Sequence, residues 1–532
     1  MRIACVYAPQ IALQALLRRS PEWLQQRQQA IVLAAGPGER ARVVGMTAAA
    51  AQTGIRKGIT VHQARAVGSA HTEARLEVQV RSEADTQAAQ AALADVGFSF
   101  APRVQSEPGR VFFEVGDLMQ LHPGGESEIM RAVAGRAAHL GLSVRVAVAG
   151  SPGLARVASR ATTGDHVMVP DRATAAAAFL APLPLETGLA ALWPTGDEDT
   201  TDASATRQRD ELLERLHTWG LRRLGDLAAL PLDQVALRLG DVGARLHRLA
   251  SGRDDEPFTP RLPPDAVEEG SSFDFAIETL EPLAFVLRGL VDRVLTRLAC
   301  RNLACSGVTV RLRLEPRGFD VRDVDLGAPT RDPQTLLQLL RLDIARRPPL
   351  SPVVGADLLA RPACVRPVQL DFLRPAGPAP ERMAATLARL AALVGPENVG
   401  APAAADSYKE ELCHVVKWQG QGPPLKEPQV SHGAAGKARD HAATTPCLGM
   451  RRYRPPHPVE ILMGRDGPTA IRGPQLSARV LVAAGPYRAA GAWWKDEGWS
   501  RDYWDVHASD GALYRLHQDR QTGHWFVDGY YD

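Results

Sequence analysis

Ile3-Ala4-Cys5-Val6-Tyr7-Ala8-Pro9-Gln10 opens the chain on an apolar strand, and Gly109-Arg110-Val111-Phe112-Phe113-Glu114-Val115 forms a second one. The stretches around them alternate between strand and helix. Ile11 to Leu17 is a short amphipathic helix, and Ala30 to Ala34 and Val43 to Met46 are strands parted by the turn signal Gly36-Pro37-Gly38. Thr47 to Thr53 is Ala-rich and helical, with Gly54 placed to end it. Helices follow over Arg81 to Asp95 and Glu126 to Leu140. Val144 to Ala149 is an alternating strand, and Leu154 to Ser159 a helix. Strands and helices in this succession imply a sheet covered by helices over residues 1–185.

The remainder divides by composition. Residues 186–262 are helical with short loops. Residues 263–365 combine a long helix, Leu283 to Ala299, with a strand over Gly307 to Leu314. Residues 366–380 are Pro-rich and read as a linker, and 381–400 have helical periodicity. Residues 401–455 are rich in Pro, Gly, Ala and His and read as a low-complexity linker. Residues 456–532 are dense in aromatics, among them Trp493, Trp494, Trp499, Tyr503, Trp504 and Trp525, and suggest a small antiparallel β unit. The fold class is therefore α+β and multidomain.

A chain of 532 residues implies roughly three to five domains. A formal net charge of +2 does not announce a nucleic-acid binder, so any such surface must come from local clusters such as Arg215, Arg222, Arg223, Arg238, Arg245 and Arg248. The six cysteines form no C-x-x-C pair and read as reduced, mostly buried thiols. No metal site is expected from them or from the scattered histidines, and no cofactor is implied. No stretch reaches the ~18 apolar residues of a membrane span, which points to a cytoplasmic protein without a membrane partner.

Several ordered segments resemble the Y-family (UmuC/DinB-type) translesion DNA polymerases. Pro37 to Ala66 resembles the fingers, Arg110 to Leu121 the second metal-binding strand, and Val144 to Ser159 a strand-turn-helix of the palm. Phe179 to Pro184 resembles the phrase that closes the palm, and Leu216 to Pro231 the helix-hairpin-helix of the thumb. The implied architecture is palm and fingers over 1–185, a thumb over 186–262 and an α/β little finger over 263–365. Where the family presents carboxylates for Mg²⁺, this chain has Tyr7, Gly109 and Arg110. Where it holds the incoming triphosphate, this chain has Ala48, Ala51 and Pro152. Tyr is a poor ligand for a hard ion, Arg repels one, and Ala offers neither hydroxyl nor guanidinium. Ala8-Pro9-Gln10, Arg40 to Ala51 and the aromatic C-terminus resemble the ImuB subfamily, whose members lack the catalytic acids.

The resemblance implies a non-catalytic adaptor in SOS-type DNA-damage tolerance, translesion synthesis and induced mutagenesis. Its implied partners are primer–template DNA bound without sequence preference, the DNA polymerase III beta sliding clamp, an error-prone C-family DNA polymerase and a RecA-like mutasome partner. Gln369-Leu370-Asp371-Phe372-Leu373 resembles a clamp-binding pentapeptide with its last two residues reversed. Gly220 and Gly225 suit a hairpin whose backbone N–H groups approach a phosphate, with Arg222 and Arg223 adding charge. Arg311 and Arg313 alternate with Val310, Leu312 and Leu314, so both stand on one strand face as a further DNA contact. The rival readings are an active error-prone polymerase whose acids lie elsewhere, and a DNA-binding module without a clamp partner.

Overall fold

The first 192 residues run β1 (Ile3–Tyr7), α1 (Ile11–Arg19), β2 (Ile31–Ala34), β3 (Val43–Met46), α2 (Ala48–Gln52), α3 (Val61–His71), β4 (Glu77–Val80), α4 (Glu83–Phe98), β5 (Gln105–Glu107), β6 (Arg110–Glu114), α5 (Gly125–His139), β7 (Arg145–Ala149), α6 (Pro152–Ala161), β8 (His166–Met168), α7 (Ala173–Leu180) and α8 (Leu185–Leu192). This computed structural model describes residues 1–19, 29–71, 76–162, 164, 166–192, 203–364, 380–404, 413–416, 449–491 and 498–531. The chain divides into two compact units, Met1–Leu393 and Val394–Asp532.

β1 is the middle strand of a five-stranded sheet of order β5-β6-β1-β7-β8. It runs antiparallel to β6 and β7 and is buried along its whole length. A strand covered on both faces reads as a continuous apolar run, as Ile3 to Val6 does. Ala4, Val6, Val111 and Phe113 pack under α4 and α5, while Ile3, Cys5 and Phe112 face α6. Ser82 caps α4 by accepting from Asp85 N, with Glu83 and Asp85 in its first turn, so charge and cap agree on where the helix begins. A three-stranded sheet, β3-β2-β4, stands beside this one. Its Ile31 and Leu33 pack on Ala12, Leu13 and Leu16 of α1, and its opposite face is covered from α2 and α3.

Helices α9 (Ala203–Thr218), α10 (Leu224–Ala228) and α11 (Leu232–Ala250) come next, the last broken at Gly240, where φ is +65°. Leu216, Leu224, Leu227, Leu246 and Leu249 join the same core as Ile3, Cys5 and α6. One apolar core therefore crosses residue 185, where the sequence reading sets a domain boundary.

The last part of the first unit holds β9 (Val267–Ile277), α12 (Leu280–Cys300), β10 (Leu303–Leu314), β11 (Phe319–Thr330), α13 (Pro333–Arg346), β12 (Val353–Cys364) and α14 (Pro380–Val394). The sheet order is β11-β10-β12-β9, and α12 and α13 cover one face. Asp332 accepts from Gln334 N and Thr335 N, with Pro333 at the first helical position of α13.

The second unit contains the hairpin β13 (Ala401–Ala404) and β14 (Cys413–Val416). It then closes a six-stranded barrel from β15 (Met450–Met463), β16 (Pro468–Arg472), β17 (Ser477–Gly491), β18 (Trp499–Ala508), β19 (Leu513–Asp519) and β20 (Trp525–Tyr531). The hairpin and the start of β15 lie inside the stretch read from composition as low-complexity linker. Arg451-Arg452-Tyr453-Arg454-Pro455-Pro456 looks unsuited to a strand, but its prolines sit where the ladder with β20 is interrupted, so no N–H is missed. Among the described residues no helix is long and apolar enough to cross a membrane.

A buried ionic cluster joins the third sheet to the first part. Asp95 of α4 and Glu269 of β9 are each 1% exposed. Arg297 of α12 reaches both, at 2.6 and 3.0 Å, and Arg18 of α1 and Arg293 of α12 add contacts to Glu269 at 2.8 and 3.1 Å. Burial alone would raise the Glu269 carboxyl, but Arg18 and Arg297 outweigh it and hold it below the ordinary carboxylate range. Truncating Arg297 would remove the one guanidinium that bridges both buried carboxylates and leave Asp95 with Arg301 at 3.5 Å. Arg297→Ala should cost about 3–5 kcal/mol, read as a lowered urea midpoint of the first unit's transition. Because the Glu269 pKa is depressed on folding, its contribution is present above the unfolded value and lost as pH falls through the folded one. The Glu269 contribution should therefore be lost below about pH 4, and an acid titration of wild type beside Glu269→Gln, followed by near-ultraviolet circular dichroism, checks the window.

Candidate functional site

Register places the sequence-derived site residues. Tyr7 of β1 lies opposite Arg110 of β6, and Arg110 lies opposite Glu107 of β5, so the three form one rung at the end of the sheet. The turn between β5 and β6 is Pro108-Gly109. Pro fixes one φ and Gly supplies the other at +69°. Gly109 N donates to Gln90 Oε1 at 2.7 Å, and its carbonyl accepts from Ala8 N at 2.9 Å. These bonds pin the turn on both sides and so fix Arg110 in register.

The rung is cationic and aromatic. Arg110 is fully buried, with its guanidinium carbon 4.7 Å from the centroid of the Tyr7 ring. Arg160 approaches the same ring at 6.0 Å. Arg156 of α6, 2% exposed, lies 5.2 Å from the Phe112 ring centroid. It is clamped between two carboxylates, Glu107 at 2.7 Å and Glu256 at 2.7 Å, and also donates to Ala191 O at 3.2 Å. Burial opposes the Arg156 charge, but Glu256 and Glu107 more than reverse this and raise its pKa. Burial lowers the pKa of Arg110. Burial also pushes the Cys5 thiol, on the same strand, up to about 11, so it stays protonated and unreactive.

A two-metal site needs several oxygen ligands converging on ions ~3.5–4 Å apart. Both carboxylates near this rung, Glu107 and Glu256, are engaged by one guanidinium. Glu114 lies opposite Ile3, at the far end of the strand from Tyr7 and four residues from Arg110, about 13 Å along the strand. Among the described residues no group of three or more His, Cys, Asp and Glu side chains gathers as a metal site would require.

The positions expected to face a triphosphate are also built differently. Pro152 is the first residue of α6 and is buried. The N–H of Gly153 donates to Asp254 Oδ2 at 2.8 Å, and a Cβ on Gly153 would stand 2.5 Å from that oxygen. Asp254 belongs to a strap, residues 253–261, that returns across the sheet edge. Glu256 takes Arg156, Thr259 N donates to Gln105 Oε1 at 2.8 Å, and Arg261 pairs with Val104. The helix end, an anion-binding feature, is thus occupied by the chain's own carboxylate. Ala48 and Ala51 are exposed on α2 and present only methyl groups. The preceding strand is tied to the first sheet by Met46 N donating to Gln10 Oε1 at 2.9 Å.

The hairpin before α10 turns at Gly220, where φ is +79°, and exposes Arg222 and Arg223. Its N–H groups do not point outward to a phosphate, contrary to the sequence expectation. Those of Arg222 and Arg223 donate to Asp226 Oδ2 at 3.0 and 2.9 Å, Leu224 N to Leu183 O at 2.9 Å, and Gly225 N to Ala181 O at 3.1 Å. The reason is packing: a Cβ on Gly225 would stand 2.9 Å from Ala181 Cβ, so this glycine lets α10 close against α7. What this hairpin leaves exposed is the charge of Arg222 and Arg223.

Arg311 and Arg313 share the face of the third sheet opposite α12, while Val310 and Leu312 are buried beneath. Arg313 Nη2 lies 3.6 Å from Asp357 and donates to Ser271 O, and Arg361 of β12 reaches across β10 to pair with Asp325 of β11. The face carries both signs. Gln369-Leu370-Asp371-Phe372-Leu373, and Trp493 and Trp494, lie outside the described residues. Sequence reasoning missed Arg156, Arg160, Asp254 and Glu256. Nothing local marks them, since the Arg156–Glu256 contact spans 100 residues.

Residues 7–160 match the profile of the impB/mucB/samB family, and residues 267–347 match that family's C-terminal domain. The chain is 26% identical to Protein ImuB of Caulobacter vibrioides over 472 residues, which is 83% of this chain and 93% of that one. It is 32% identical to DNA polymerase IV 1 of Mesorhizobium japonicum over 128 residues, 24% of this chain. That alignment spans 27% of the polymerase's own length. Among solved structures, the post-insertion binary complex of Dbh DNA polymerase aligns with 68% of this chain and 98% of that one, at 13% identity and a TM-score of 0.38.

The strap hangs on Arg156. Glu256→Ala removes two charge-assisted bonds worth about 1.5–3 kcal/mol. Amide exchange at Thr259 and Arg261 should then quicken about 10- to 100-fold, read by hydrogen-exchange mass spectrometry, with the core strand β1 unchanged.

Proposed function

We propose that this chain, a homologue of the Y-family DNA polymerases, is a non-catalytic DNA-binding adaptor in DNA-damage tolerance. The observation that carries the reading is the rung Tyr7–Arg110–Glu107, with Arg110 buried on Tyr7 and Glu107 engaged by Arg156. Buried guanidinium groups in this place oppose the close approach of Mg²⁺, and a phosphoryl-transfer site depends on that ion. The strap carboxylate Asp254 on the α6 terminus supports the same reading, because it competes with any nucleotide phosphate for that N–H. DNA is held through charge: Arg222 and Arg223 at the hairpin, and Arg311 and Arg313 on the sheet.

In this reading the adaptor links the beta sliding clamp, through Gln369-Leu370-Asp371-Phe372-Leu373, to an error-prone C-family polymerase and a RecA-like partner during induced mutagenesis. The similarity to Protein ImuB over most of both chains supports that assignment. The deciding experiment is single-nucleotide primer extension with Mg²⁺ or Mn²⁺ beside an active Y-family enzyme. The expected result is no incorporation, with primer–template bound in a salt-dependent way and weakened severalfold by Arg222→Ala with Arg223→Ala. Template-directed incorporation that disappears in Glu107→Ala would make the chain a working polymerase. Clamp binding, measured by surface plasmon resonance, should fall at least tenfold in Phe372→Ala, as loss of an interface anchor implies. Undiminished binding would place the clamp contact elsewhere.

A further inference from the structure

The barrel of the second unit has an opening in its wall. β15 and β20 pair at Met450 to Arg452 and again at His457 to Val459, and the register breaks between them. Tyr453-Arg454-Pro455-Pro456 leaves the ladder opposite Asp528. The gap forms a cavity of about 220 Å³ lined by these four residues with Arg452 and Asp528. This is smaller than the ~300–1,000 Å³ of a cleft that takes a whole drug-sized ligand, and suits one planar group.

Its floor is a carboxylate of unusual standing. Asp528 is 2% exposed, and its Oδ1 lies 2.7 Å from Nδ1 of His517, which is equally buried. His517 is itself held by a stacked contact with Phe526, ring centroids 5.1 Å apart. Asp528 lines the opening, and its Oδ2 is buried with no hydrogen-bond partner among the described residues. A buried acceptor left unmet costs about 1–3 kcal/mol, so such an atom marks a place for a donor. The wall above it is aromatic, with Tyr453 stacked on His457 at 4.1 Å, and the rim carries Arg452 and Arg454.

We propose that this opening takes one base of a single-stranded nucleic acid, whose ring N–H or amino group donates to Asp528 Oδ2 while the adjoining phosphate lies against Arg454. The donor requirement alone would also admit a lysine or arginine side chain, but two guanidinium groups at the rim repel a cation. A nucleotide joins a neutral N–H donor on a flat ring to an anion at one end, which is the combination that floor and rim ask for. Small β-barrels bind single strands in this way, with bases against aromatic side chains and basic groups along the backbone. The site lies in the second unit and does not depend on the adaptor reading of the first.

The test uses the full chain and an oligonucleotide with one central 5-iododeoxyuridine, photo-crosslinked and mapped by mass spectrometry. The expected product joins the base to Tyr453 or His457. Its yield falls about tenfold in Arg454→Ala, an exposed position whose loss does not threaten the fold, and in Asp528→Asn, as loss of one held base implies. A competitor of equal length and charge made of abasic sites should compete at least about tenfold less well at this crosslink than one with bases. Crosslinks confined to residues 1–393, yields unmoved in both variants, or equal competition by the abasic strand would each overturn the proposal. Crosslinks within residues 1–393 report on the first unit's own DNA binding, so the two readings fail separately.

Discussion

A cation that is taken out of water must be paired, and Arg156 imposes that constraint on the elements around it. Its guanidinium is desolvated inside the first sheet's core, so it needs carboxylates, and it draws Glu107 from β5 and Glu256 from the strap. The strap then has to cross the sheet edge, which brings Asp254 to the N-terminus of α6 and Arg261 into pairing with Val104. Once Glu107 is committed to Arg156, it is no longer available as a ligand beside Tyr7. Two acids, Glu107 and Glu256, are thus spent on neutralising one structural cation.

The same logic recurs where the third sheet meets the first part. Asp95 and Glu269 are buried among Arg18, Arg293, Arg297 and Arg301. Buried ion pairs contribute little net stability, yet breaking one is expensive. Such a cluster therefore fixes which surfaces meet more than how tightly they hold. On the outer face of that sheet, arginines alternate with aspartates, so the field there is short-ranged and readily screened.

The second unit solves a different problem. Closing six strands into a barrel removes the edges at which sheets aggregate. A proline-containing break in one strand then reopens the wall at a single place. Proline is tolerated there because no ladder bond is due, and the break leaves Asp528 facing the opening while His517 holds its other oxygen.

Much of this was legible in the chain itself. Strand runs such as Ile3 to Val6, the capped helices and the aromatic β-rich end come from periodicity and turn chemistry, which act over a few residues. So do the residue types at Tyr7, Arg110, Ala48 and Ala51, because identity at a position needs no fold to be read. Arg311 and Arg313 fall on one open face, as alternation requires. The tertiary structure alone decided the rest. Gly225 looked like a phosphate-approach glycine and proved to be a packing glycine, because Ala181, 44 residues earlier, stands against it. The partners of Arg156 lie 49 and 100 residues away in the chain, and the pairing of Asp95 with Arg297 spans 202. The use of a charged residue is set by what burial brings beside it, and that neighbour is chosen by the folding of the whole core.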